Sequence, residues 1–179
     1  MTKDDHIRQI KHNIACYLND PSKNKKMLFL DTETTGLDDK AQAVSLAIVD
    51  EDCTVIVNTR LNVAVPISSG AFKVHKIKQS DLVDCPYFTD IQEDVKNLLN
   101  GRKVGIYNAE FDSRILSQSA TIPMDNYTSI CVMENAMFCL GLSHWPKLTY
   151  ACSELGVSLT QAHDALSDAI ATVYVWKRL

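Results

Sequence analysis

The stretch Leu30-Asp31-Thr32-Glu33-Thr34-Thr35-Gly36-Leu37 decides how this chain is read. It follows Met27-Leu28-Phe29, so an apolar run passes directly into two acids. That is the pattern of a buried strand over Met27–Glu33 with a charged end. Side chains alternate along a strand, so Asp31 and Glu33 project to the same side. Unpaired charges at that place are costly, and a hard divalent cation with oxygen ligands is the natural compensation. Taken alone, the stretch is equally a strand end passing into a polar turn.

Working outward, Ala43–Asp50 and Cys53–Leu61 read as two further strands rich in Val and Ile. Glu51-Asp52 joins them, which predicts an antiparallel meander. Residues 62–86 read as irregular, with Pro66, Ser68-Ser69-Gly70 and Pro86 as breakers. Phe88, Ile91, Val95, Leu98 and Leu99 predict an amphipathic helix over Tyr87–Leu99, ended by Asn100-Gly101. Lys103–Ala109 is a fourth strand, Phe111–Ser119 a helix, Tyr127–Val132 a fifth strand, and Glu134–Leu140 and Leu148–Leu155 helices, with Gly156 as a C-cap. A last helix runs from about Asp164 to Leu179. The sum is an α/β domain over 27–179: a mixed five-stranded sheet, three strands in an antiparallel meander plus two parallel strands, flanked by helices. Residues 1–26 read as an appendage, in which Ile7, Ile10, Ile14 and Leu18 form a helical stripe, Asn19-Asp20-Pro21-Ser22 stops it, and Lys23, Lys25 and Lys26 make a basic linker. The stripe packs either on the domain or on a partner.

A length of 179 residues suits about one domain and buries a sizeable core without staples. With 46% hydrophobic and 22% charged residues, disorder is excluded. The apolar run at Met27–Leu30 is far short of a membrane span, and Asp4 and Asp5 stand where a signal peptide needs apolar residues, so the expectation is a soluble cytoplasmic protein. Six cysteines without a C-x-x-C pair read as reduced, mostly buried thiols. Net charge is −4, which argues against long duplex tracking. If four of the 22 acids form a metal cage, however, the remainder balances the 18 basic residues.

Two more acids matter. Asp112, in Asn108-Ala109-Glu110-Phe111-Asp112, follows the fourth strand at a helix start, where a cap or first-turn acid is the commoner use. Asp168 has Ala165, Ala171 and Thr172 as helical neighbours, a notch of small residues that another backbone or an ion can approach. His163, five residues earlier, lies far round the helix from Asp168 and serves the same place only from the preceding loop. Four carboxylates from three segments and one histidine match two-metal phosphodiester hydrolysis. Two divalent ions about 4 Å apart hold the attacking water and the leaving oxygen in line, and an imidazole takes the water's proton.

These segments resemble the DEDDh branch of the DnaQ-like 3′→5′ exonucleases, a family that includes the proofreading subunit of bacterial replicative polymerase, ribonuclease T and oligoribonuclease. The resemblance spans about Met27 to Leu179 and excludes the first helix. His163 five before Asp168 fixes the branch, since the tyrosine branch needs Tyr at 164, which is Asp here. The resemblance implies a ribonuclease-H-like fold and a Mg²⁺- or Mn²⁺-dependent exonuclease, two ions per site, acting on the 3′ ends of single-stranded DNA or RNA. It implies Asp31, Glu33, Asp112 and Asp168 as metal ligands and His163 as general base. Thr34 and Thr35 would approach the terminal nucleotide, Leu37 would wedge between the last two bases, and Asn108 and Phe111 would shape the pocket. For Leu37, a plain role in capping the core stands beside the wedge. A homodimer or a polymerase or replication partner is further implied. Three positions depart from the family: Tyr107 where relatives often have His, Cys131 where many have Asp, and His75-Lys76 where His-Gly is common.

Two weaker signals remain. Lys73, Lys76 and Lys78 make the densest basic stretch of the domain, read as solvated rather than phosphate-binding. Trp145-Pro146 reads as a buried anchor of a helix start, with base stacking as the alternative. The rival from another class is a nucleic-acid-binding or polymerase-associated subunit whose chemistry is vestigial.

Overall fold

β1 (Leu28–Thr34) is the middle strand of a five-stranded sheet in the order β3-β2-β1-β4-β5. The computed structural model describes residues 2–179. β2 (Ala43–Asp50) and β3 (Val55–Arg60) run antiparallel as the expected meander, while β4 (Lys103–Ile106) and β5 (Thr128–Cys131) lie parallel to β1. Every residue of β2 is buried, because helices cover both faces of the sheet there. One face packs Leu28, Leu30, Leu46, Ile48, Val104 and Ile106 against α1 (Lys3–Asn19), α3 (Gln92–Leu99) and α4 (Ala109–Ser119). The other packs Phe29, Ala47 and Val49 against α5 (Val132–Cys139), α6 (Leu148–Glu154) and α7 (Ala165–Trp176). Ala165, Ala169 and Ala171 let α7 lie flat on β1 and β2, which is where the small residues around Asp168 are used. Gly105 is required by packing: a Cβ there would stand 2.5 Å from the Phe29 ring.

Several expectations are corrected. Residues 62–86 are not wholly irregular: Ser68 caps α2 (Ser69–His75) by accepting from the Ala71 N–H, and a 3₁₀ turn follows at Gln79–Leu82. The expected single helix Tyr87–Leu99 is a 3₁₀ turn at Phe88–Asp90 and then α3, divided at Ile91 by a non-helical φ of −126°. The fourth strand ends at Ile106, three residues early, since α4 begins at Ala109. Only Cys85 and Cys152 of the six free thiols are fully buried; Cys16 and Cys139 face solvent.

The stripe of α1 packs on this chain. Ile10, Ile14 and Tyr17 enter the core beside β3 and α3, whereas Leu18 is 39% exposed because Tyr17 takes the inward place. The Tyr17 hydroxyl donates to buried Asp50, which also receives Lys23, and Arg102 donates to the Lys23 and Lys26 carbonyls. No helix of the described residues is long and apolar enough to cross a membrane.

Candidate active site

Alternation along β1 divides its end between two partners. Leu28 and Leu30 face the α4 side and Phe29 the α7 side, so Thr32 points toward α4 and Asp31 and Glu33 toward α7. Thr32 donates to one Asp112 oxygen twice, from its backbone N–H at 3.0 Å and its hydroxyl at 2.7 Å. Asp112 is therefore not a helix cap. Asn108 holds the N-cap position of α4, without a side-chain cap bond, and Asp112 is 4% exposed at the sheet end.

On the α7 side, a ligand atom each of Glu33, His163 and Asp168 lies within 4.8 Å of the others. Asp164 caps α7 by accepting from the Ser167 N–H, so His163 sits in the loop before the helix, as its five-residue offset requires. Its φ of +65° is left-handed, a conformation costly for a side-chain-bearing residue, and it lets the His163 N–H donate to one Asp168 oxygen at 3.0 Å. The other Asp168 oxygen, Oδ1, is buried with no hydrogen-bond partner.

The electrostatics are those of a crowded acid cluster without counter-charge. Burial pushes Asp31 well above the usual carboxylate range, and the charges of Asp112, Asp168 and Glu33 push it further. Burial, then Asp168 and Asp112, push Glu33 to about 8. Burial pushes Asp112 up to about 7 although both Thr32 bonds pull the other way. Burial also raises Asp168, against the pull of the His163 N–H. Among the described residues, none of the four forms an ion pair with lysine or arginine. An orphaned buried oxygen among four unneutralised carboxylates is a donor set that hard divalent cations fit.

Two openings flank Glu33. One is a cavity of about 410 Å³ walled by Thr32, Glu33, Thr34, Leu37, Val74 and Phe111, among others, with mostly apolar lining. Leu37 stands at its wall 79% exposed, so the alternative in which it caps the core is excluded. Thr34 lines the cavity with its hydroxyl donating to the Gly36 carbonyl. Thr35 does not line it; its hydroxyl accepts from the Gln42 N–H, bracing the loop from behind. The second opening, about 330 Å³, is polar and reaches His163, Asp164, His75 and Arg60. His75 touches both: its Nε2–H donates to the Thr34 carbonyl and its Nδ1 accepts from the Ile77 N–H, a neutral tautomer that burial favours by lowering the ring's pKa.

Three features escaped the sequence reading. Thr32 is the tether of Asp112. Arg114 donates to the Leu37 and Asp38 carbonyls and stacks its guanidinium 5.3 Å from the Phe111 ring centre, clamping the loop that carries Leu37. Trp145 is 62% exposed rather than buried, because Pro146 is the anchor: its carbonyl accepts from the buried Tyr107 hydroxyl at 2.9 Å. That bond also gives the Tyr107 departure a structural use.

A sheet of this order, with acids gathered at the end of its central strand, defines a ribonuclease-H-like nuclease domain. Residues 28–176 match the exonuclease family RNase_T. The chain is 29% identical over 170 residues to the uncharacterized exonuclease CP81 of Escherichia phage 186, covering 82% of this chain and 84% of that one. It is 29% identical over 164 residues to the DNA polymerase III subunit epsilon of Rickettsia felis, covering 83% and 72%. Among solved structures, exonuclease X in complex with 5′-overhanging duplex DNA superposes with a TM-score of 0.66 at 23% identity, over 84% of this chain and 88% of that one. Escherichia coli exonuclease I in complex with a dT13 oligonucleotide superposes at 0.73 and 17% identity, over 86% of this chain and 40% of that one. The chain thus spans less than half the length of exonuclease I. It belongs to the DEDDh branch of the DnaQ-like exonuclease family.

Proposed function

We propose that the chain is a 3′→5′ exonuclease that hydrolyses the terminal phosphodiester of single-stranded DNA or RNA and releases 5′-mononucleotides. The observation that carries this reading is the cluster of Glu33, His163 and Asp168 with its orphaned Asp168 oxygen, in which His163 lines the polar opening and Glu33 also walls the cavity of about 410 Å³. That volume falls within the usual range of small-ligand sites, about 300–1,000 Å³. Asp31, Glu33, Asp112 and Asp168 would hold two Mg²⁺ or Mn²⁺ ions, whose charge steadies the pentacovalent phosphorus and eases ionisation of the attacking water. His163 takes the proton from that water as its oxygen bonds to phosphorus. The bond from phosphorus to the upstream 3′-oxygen breaks in line, and that oxygen leaves to be protonated from solvent.

Thr34, Leu37 and Phe111 then hold the terminal nucleotide, with Leu37 as the wedge against its neighbour and Asn108 beyond Phe111. Thr35 serves the loop rather than the substrate. The three surface lysines Lys73, Lys76 and Lys78 keep their solvated reading. The likeness to polymerase III epsilon subunits supports a cytoplasmic place of action and a replication partner, and a homodimer is the competing assembly.

The test is an oligonucleotide labelled at one end or the other, incubated with Mg²⁺ with and without chelator. Stepwise shortening of the 5′-labelled strand, abolished by chelator, is expected. Binding without shortening would instead support the vestigial module, and immediate release of labelled mononucleotide from the 5′ end would reverse the polarity.

A further inference from the structure

Two openings share wall residues with the 410 Å³ cavity and offer a strand whose last nucleotide occupies it a way past the acids. The polar opening holds His163, the group that faces the attacking water. In-line displacement puts the leaving oxygen, and with it the rest of the strand, on the opposite side of phosphorus. The other route is a groove of about 550 Å³ that shares Phe111 with the cavity and contains none of the acid and histidine set. Its walls include Asn108, Arg114 and Trp145.

The charge in that groove is not that of a phosphate track. Glu110 and Glu134 line it too, and the Arg114 guanidinium is engaged by the Leu37 and Asp38 carbonyls. Within this mostly polar lining the groove carries two aromatic rings, Phe111 and Trp145. The Trp145 ring stands in solvent while Pro146 behind it is buried and held by Tyr107. An indole presented this way has the geometry of a platform, because its backbone is ordered before anything binds. Bases of any sequence have a face to lay on it.

We propose that this groove seats the bases preceding the terminal nucleotide and that Trp145 is their stacking platform, so that the enzyme grips its substrate upstream by base faces rather than by phosphates. This rests on the exonuclease reading above. The occupant is single-stranded nucleic acid of at least three nucleotides, since paired bases do not expose their faces.

The experiment compares two substrates in the full chain with Mg²⁺. One is the p-nitrophenyl ester of thymidine 5′-monophosphate, which fills only the terminal cavity; the other is a series of oligomers from two to eight nucleotides. Trp145→Ala is expected to raise KM for oligomers of three or more by about 5- to 150-fold, the worth of one stacked base. It should leave kcat and the ester unchanged, and Trp145→Phe should restore most of the loss. Equal loss on ester and oligomer would mean a structural role and overturn the proposal, as would an unchanged oligomer KM. If the unaltered chain cleaves neither substrate, the exonuclease reading itself falls and takes this one with it. Cleavage of both with no selective effect at Trp145 removes the platform alone.

Discussion

Thr32 and Asp112, 80 residues apart in the chain, are joined by two hydrogen bonds that converge on a single carboxylate oxygen. The strand that presents Asp31 and Glu33 thereby also fixes the acid arriving from α4 through one oxygen, leaving the other for the proposed cation. Thr32→Val keeps the backbone bond and the side-chain shape but deletes the hydroxyl. We expect the Mg²⁺ concentration for half-maximal activity to rise about 10- to 100-fold, as for other groups that orient a metal ligand. A titration of rate against Mg²⁺ checks this, and an unshifted midpoint would mean that the backbone bond suffices.

His163 supplies two things that mutation can separate. Its imidazole is the proposed base, whereas its backbone N–H holds Asp168. His163→Ala should therefore lower kcat by about 10²- to 10⁴-fold while Mn²⁺ binding, read by calorimetry, persists. Asp168→Asn should lose both. Collapse of Mn²⁺ binding in the alanine variant would assign the imidazole to the metal instead.

Metal-free protein should lose stability as pH rises. Folding holds Glu33 protonated up to about 8 and Asp112 up to about 7, whereas an unfolded chain releases both protons near pH 4. Between those limits the folded state binds more protons, so the free energy of unfolding falls with increasing pH. Thermal melts from pH 4.5 to 8.5 in chelator should show that fall. Mg²⁺ should flatten it, because cations bound only by the folded state stabilise it where the carboxylates are ionised. Asp31→Asn should raise the metal-free melting temperature at pH 8 while abolishing hydrolysis.

Lys76 closes α2 at φ +61°, ψ +9°, in the left-handed region that favours glycine. A side chain there costs roughly 1–2 kcal/mol, and glycine's extra freedom when unfolded returns part of that. Lys76→Gly is expected to stabilise the protein by about 0.5–1 kcal/mol, and Lys76→Val to destabilise it. Denaturant midpoints of the two variants decide.

The sheet and the acid cluster were legible because each rests on a local pattern: alternation in β1 and β2, and acids placed directly after an apolar run. The position of His163 followed from helical arithmetic alone. What was not legible depends on contacts between distant segments. Ser68-Ser69-Gly70 reads as a breaker, yet a single cap bond from Ser68 is enough to start a seven-residue helix once the sheet supports it. Tyr17 outcompetes Leu18 for the interior because buried Asp50 offers its hydroxyl a partner, which no stripe of isoleucines reveals. The average burial of tryptophan misplaces Trp145, because the neighbouring proline does the anchoring. Arg114 carries no motif; its clamp on Leu37 exists only because α4 passes beside the loop.

α4 thus holds two unrelated duties two residues apart: Asp112 for the proposed cation site, and Arg114 for the loop that carries Leu37. A rigid rod links them. In the proposed enzyme, sliding or tilting α4 to suit a bulkier terminal nucleotide would also pull Asp112 from Thr32 and from the cation site, so the helix is poorly placed to adapt. Substrate range in this architecture is left to change by side-chain replacement along residues 37–41, where a wider or narrower wedge alters what fits without moving the chemistry.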